Sequence, residues 1–161
     1  MNVHRIRQRT TAMILSLIAT AVLIPLAAQT QAHAAPPAPD ATVGPAAWTP
    51  QIYPLFSGEW VRRNVASADR NAELVACSLA RGIACVSVGQ GDGRHSVFHL
   101  FKCDTRSLSN FINALAVRNH QTNNAKVHFW GPRYSVLVPA DTTIHTIPDY
   151  ATYEFNRLDL C

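Results

Sequence analysis

Short apolar runs broken by glycine, proline and aspartate recur through the C-terminal two-thirds of the chain, a spacing that predicts strands rather than long helices. Glu73–Cys77 and Ala84–Val88 flank a tight connection through Ala80-Arg81-Gly82, and Gly89-Gln90-Gly91-Asp92-Gly93 makes a glycine-rich turn. Ser96–Cys103 is the longest strand candidate. Alternation places Val97, His99, Phe101 and Cys103 on one face and Phe98, Leu100 and Lys102 on the other. Lys126–Trp130, Tyr134–Val138, Thr142–Ile147 and Tyr150–Leu158 follow, parted by Gly131-Pro132, Pro139-Ala140-Asp141 and Pro148-Asp149. This punctuation predicts an all-β domain, a small sandwich or Greek-key barrel.

One segment has a different period. Leu108, Phe111, Ile112, Leu115 and Ala116 fall at i, i+3, i+4, i+7 and i+8 behind Ser107 as an N-cap. Periodicity alone reads 108–117 as a short helix, which would need tertiary packing to persist.

The N-terminus is patterned for export. Arg5, Arg7 and Arg9 precede an apolar run from Ala12 to Ala28, and Ala32-His33-Ala34 supplies small residues before a cleavage point at Ala35. These are the parts of a secretory signal peptide over 1–34, and a run broken by Pro25 is short for a membrane span. Residues 35–57 are rich in alanine and proline and read as an extended linker, with Trp48, Tyr53 and Phe56 near its end. Residues 58–161 then form the folded domain.

Charge changes the picture once the leader is set aside. The chain has 14 Lys+Arg and 10 Asp+Glu, and removing the leader's Arg5, Arg7 and Arg9 leaves 11 against 10. No basic run or aromatic-interleaved basic stripe remains, so the pattern argues against a nucleic-acid partner. No membrane attachment is expected after cleavage, and the domain is expected to act as a monomer.

All four cysteines, Cys77, Cys85, Cys103 and Cys161, lie beyond the leader, and an even count in a small exported chain reads as two disulfides. Zinc is disfavoured by the lack of a Cys-x₂-Cys spacing and by an oxidising destination. Four cysteines allow three pairings. The expected one is Cys77–Cys85 as a local clasp with Cys103–Cys161 as the tie that fastens the C-terminus.

Three short stretches carry a resemblance. Phe98-His99-Leu100-Phe101-Lys102-Cys103, then Leu108-Ser109-Asn110-Phe111, then Asn119-His120-Gln121-Thr122 resemble a pattern of small secreted actinobacterial proteins. In these an aromatic strand ends in Cys, followed by Leu-Ser-Asn-Trp and Asn-Asn-Gln-Thr-Gly-Gly. They are similar to the βγ-crystallin-like group that includes the Streptomyces metalloproteinase-inhibitor type. The likeness covers roughly residues 74–130, and Cys161 fits it too. Phe111 stands in place of Trp, His120 in place of the second Asn, and Asn123-Asn124 in place of Gly-Gly; Asn113 and Leu115 stand where glycines occur. The resemblance implies a Greek-key β fold and a loop at 108–117, so helix and loop both stay open there.

The sharpest candidate for function is Cys77-Ser78-Leu79-Ala80-Arg81-Gly82-Ile83-Ala84-Cys85. A clasped, exposed loop is ordered before it meets a protease, which lowers the entropy cost of binding and opposes productive cleavage. Leu79 would suit an apolar specificity pocket and Arg81 a trypsin-like one, while Gly82 turns the chain. The plainer reading is a stapled hairpin. Calcium, wanting several hard oxygens, is poorly served by Asn123-Asn124-Ala125-Lys126-Val127-His128 or by Asp92 alone. His95 and His99 fall on one strand face, where either one with a nearby carboxylate or arginine would make a general acid–base site for a small hydrolase directed at RNA or cell wall. The segment from Asp149 to Cys161 resembles the end of secreted guanyl ribonucleases, but Asp149 stands where these have a catalytic histidine. No Gly-x-Ser-x-Gly, His-Glu-x-x-His or phosphate-binding glycine loop is present.

These readings converge on a secreted, non-catalytic recognition domain, most specifically a proteinaceous protease inhibitor acting through the 77–85 loop. Its expected partner is an extracellular protease or another secreted macromolecule, with no cofactor and no metal. A small hydrolase using His95 or His99, or a structural envelope module, is the alternative.

Overall fold

In the computed structural model, which describes residues 47–161, the chain folds as two five-stranded antiparallel sheets that share one core. The first sheet contains β1 (Gln51–Tyr53), β5 (Thr105–Ser109), β10 (Arg157–Leu160), β7 (Val127–Trp130) and β8 (Ser135–Val138), in that spatial order. The second contains β2 (Trp60–Ala66), β4 (Arg94–Leu100), β3 (Ile83–Gly89), β6 (Leu115–His120) and β9 (Ile144–Ile147). Two short helices, α1 (Arg70–Cys77) and α2 (Asp149–Thr152), complete the described part. The all-β sandwich expected from the strand pattern is the fold. The leader and residues 35–46 of the linker lie outside the described residues.

Alternation builds the core. Val86, Val88, Phe98, Leu100 and Val117 from the second sheet meet Leu108, Val127, Phe129, Leu158 and Leu160 from the first. Phe111 and Phe155 join it from loops, with ring centroids 6.1 Å from Phe98 and 5.7 Å from Phe129 respectively. The second sheet is covered on its other face as well. There Leu74 and Cys77 of α1 pack on Val65, Cys85, Val97 and Ala116. β3 is consequently buried almost throughout, while strands of the first sheet keep one solvated face.

Both expected disulfides form. Cys77–Cys85 fastens the end of α1 to β3 with Cα atoms 6.1 Å apart, and Cys103–Cys161 fastens the C-terminus with 5.5 Å.

Four expectations need correction. Glu73–Cys77 belongs to helix α1, because Leu74, Cys77 and Ser78 fall at i, i+3 and i+4 and all face the second sheet. Residues 108–117 are strand, loop and strand, because Asn110 (φ 57°) and Ala114 (φ 52°) take left-handed conformations that stop helix propagation. The 3.6-residue period arose because Leu108, Phe111 and Leu115 reach one core from three different elements. Tyr150–Leu158 divides into α2 and β10, since two amides, those of Ala151 and Thr152, bond the Pro148 carbonyl as a helical turn. Finally, the linker ends before residue 57. Ile52 is 4% exposed in the core, and β1 pairs with β5 between the flanking prolines Pro50 and Pro54. Trp48 is already anchored, its Nε1–H donating to the Gly89 carbonyl at 2.8 Å.

Candidate functional site

The loop between α1 and β3 is exposed at its tip and braced at its base. α1 ends at Ser78, whose hydroxyl donates to the Leu74 carbonyl at 2.7 Å and whose side chain is fully buried. β6 lies beside β3 in register Cys85↔Arg118 and Ile83↔His120, so Arg118 and His120 project toward the loop base. Arg118 Nη1 donates to the Ser78 carbonyl at 3.2 Å and also to the Ser78 hydroxyl. His120 Nδ1 lies 2.9 Å from the same carbonyl. A carbonyl only accepts, so the proton sits on Nδ1. At the far shoulder the Gly82 amide donates to the His120 carbonyl at 2.8 Å. Gly82 has φ +89°, a conformation that glycine takes without strain.

Between these shoulders Leu79 is 73% exposed and Arg81 is also exposed. The two side chains border different grooves. Leu79 and Ala80 flank a shallow groove shared with Trp60, Ala76 and His99 on one side and the Arg62–Glu73 ion pair on the other. In its wall His99 stacks on Trp60 at 4.9 Å, and beyond the groove His99 meets Phe101 edge-on at 6.0 Å. Arg81 borders a polar groove of about 420 Å³ with His120, Asn123, Asn124 and Asp141. Asp141 is committed to its own turn, accepting from the Thr143 amide at 3.0 Å and hydroxyl at 2.7 Å and lying 2.9 Å from His145 Nε2. Burial pushes its carboxyl up, but the bonds from Thr143 and His145 outweigh that and hold it below its ordinary value.

The other candidate residues do not converge. His95 is 4% exposed and lies 3.0 Å from the Ser67 hydroxyl. Burial first, then the charge of Arg70, lowers its pKa against the opposing pull of Asp92. His95 and His99 share a strand face, with Val97 packed between them on the α1 side. Four strand steps set their backbones about 13 Å apart. Among the described residues neither imidazole is hydrogen-bonded to a carboxylate or an arginine, His95 meeting Ser67 and His99 stacking on Trp60. His128 is bonded to Ser135 at 2.7 Å on the opposite sheet. Asp92 accepts the Arg94 amide at 3.0 Å. Among the described residues no three His, Cys, Asp or Glu side chains are grouped to hold a metal ion.

Arg118, His120 and Trp60 form part of this site without having been singled out for it. Arg118 and His120 alternate along β6, a signal hidden by the helical period assigned just before them. Trp60 precedes the apolar runs that the strand pattern used.

Comparison of the chain with family models, curated proteins and solved structures gives no match. The class is therefore defined by the molecule itself: a two-sheet antiparallel sandwich with two disulfides, one of which brackets a clamped, exposed loop. Among the described residues no helix is long and apolar enough to cross a membrane.

Proposed function

We propose that the chain is exported and that its mature domain is a non-catalytic protease inhibitor acting through the loop bracketed by Cys77 and Cys85. One observation carries this reading: the backbone on either side of Leu79 is held by a disulfide and by bonds from Arg118 and His120, while Leu79 itself stands in solvent. A loop ordered in advance loses little entropy when an enzyme cleft closes on it. Leu79 is the specificity residue, because it continues onto the stacked Trp60–His99 surface of the neighbouring groove, which supplies secondary contact. The enzyme it fits therefore has an apolar pocket rather than an acidic one.

One further point supports kinship with the secreted βγ-crystallin-like inhibitors. Asn123 and Asn124, which stand where that pattern has Gly-Gly, have φ of 57° and 56°, a left-handed conformation that glycine takes without strain. Export is supported by the leader pattern and by two disulfides, which persist in oxidising compartments.

The test is titration of oxidised protein, residues 35–161, against trypsin-like, subtilisin-like and zinc proteases. Stoichiometric inhibition of an enzyme with apolar specificity, lost in Leu79→Ala and kept in Arg81→Ala, is the expected result. Equal inhibition by wild type and Leu79→Ala overturns the loop assignment.

A further inference from the structure

Arg81 is left without a role if Leu79 carries specificity, yet it is neither paired nor buried. Among the described residues its guanidinium makes no hydrogen bond or ion pair, and it lies on a loop whose base cannot move freely. It faces a groove whose other walls are the turn after β6 and the turn before β9. Asn123 and Asn124 are successive left-handed residues at one wall, both exposed, and each carries an amide N–H₂ donor. His120 closes the floor, with Nδ1 donating to the Ser78 carbonyl, so the ring lines the groove without supplying it a donor. The one acidic side chain in the wall, Asp141, is already engaged by Thr143 and His145.

We propose that this groove binds an oxyanion, a carboxylate or a phosphate group, with Arg81 as the charged anchor and Asn123 and Asn124 as neutral donors. A planar guanidinium meets either group with two parallel bonds. The volume of about 420 Å³ admits such a group together with the residue that bears it. This inference stands apart from protease inhibition, since it concerns the opposite side of the loop from Leu79.

The experiment is NMR titration of the oxidised, processed protein with sodium acetate and, separately, inorganic phosphate, with chloride replaced to hold ionic strength constant. Saturable shifts confined to Arg81, Gly82, His120, Asn123 and Asn124 are expected. Arg81→Gln should weaken binding about tenfold, the loss of one charge-assisted contact. Arg94→Gln, at the exposed start of β4, should leave it unchanged. Tighter saturation by acetate identifies a carboxylate-bearing ligand, and tighter saturation by phosphate a phosphate-bearing one. Absence of saturable shifts with both anions, shifts spread over Arg62, Arg94 and Arg157, or undiminished binding by Arg81→Gln overturns the proposal.

Discussion

Glu59 and Arg106 face each other with both side chains wholly out of solvent, guanidinium to carboxylate at 2.5 and 2.7 Å. Arg106 occupies a core-facing position of β5 in the first sheet, and Glu59 immediately precedes β2 of the second, so the pair bridges the two layers. The carboxylate also accepts the amides of Phe56, Phe101 and Lys102, each at 2.9 Å. Three chain segments are thereby gathered onto one side chain.

Acid should loosen the domain through this residue. Burial pushes the Glu59 carboxyl up, but the bond from Arg106 and those from the three amides outweigh it and bring the pKa from an ordinary 4.5 to about 2. A depressed folded pKa means stability that is present above the unfolded value and lost as pH falls toward the folded one. The contribution is on the order of 3 kcal/mol, and it should disappear between pH 4.5 and about 2 in urea titrations.

Glu59→Gln should lower stability by about 3–5 kcal/mol at neutral pH, because it leaves a buried guanidinium without its counter-charge. Replacing both members, as Glu59→Gln with Arg106→Met, should recover part of that loss. A urea midpoint for the double variant at or below that of Glu59→Gln would contradict this account.

The two disulfides should contribute unequally. Their sequence separations are 8 and 58 residues, and the chain-entropy relation then assigns about 2.5 kcal/mol to Cys77–Cys85 and about 4 to Cys103–Cys161. Paired Cys→Ser variants unfolded in denaturant should show that order. Inhibition should show the reverse order, since only the first bond brackets the loop.

Arg118→Ala removes bonds to the Ser78 carbonyl and hydroxyl and one to the Thr142 carbonyl at 2.9 Å. The expected result is inhibition weakened about tenfold or more, alongside a stability loss of about 1–2 kcal/mol, because the loop loses its order while the core is untouched. Equal inhibition constants for wild type and variant would show that the clamp does not govern binding.

Gly131→Ala tests the turn between β7 and β8. A Cβ there would overlap the Glu154 carbonyl, which is backbone and cannot swing aside. A destabilisation of about 3 kcal/mol is expected by thermal or urea denaturation.

Much of the sandwich was legible because its strands alternate. β7 and β8 keep one solvated face, so the pattern of Val127, Phe129 and Val138 showed directly. The disulfide pairing found is the expected one, although the sequence left three pairings possible. α1 was not legible, because eight residues with Leu74 and Cys77 as their buried contacts give too few turns for a period to emerge. β1 was hidden by its prolines, and β6 by the coincidence that Leu108, Phe111 and Leu115 converge on one core. Of the candidate site, Leu79 and the clasp could be read from the sequence. The hydrogen bonds from Arg118 and His120 could not, since they depend on β6 lying beside β3, a long-range pairing.

The Cys77–Cys85 bond also alters what a single cut in the chain would mean. A peptide bond broken between Leu79 and Ala80 gives two polypeptides that remain one molecule. The new ends stay where Ser78 and Gly82 are already tethered, so neither gains the freedom that normally makes hydrolysis irreversible. Nicked and intact forms would then differ little in free energy, and the same surface could be opened and resealed by the enzyme it occupies.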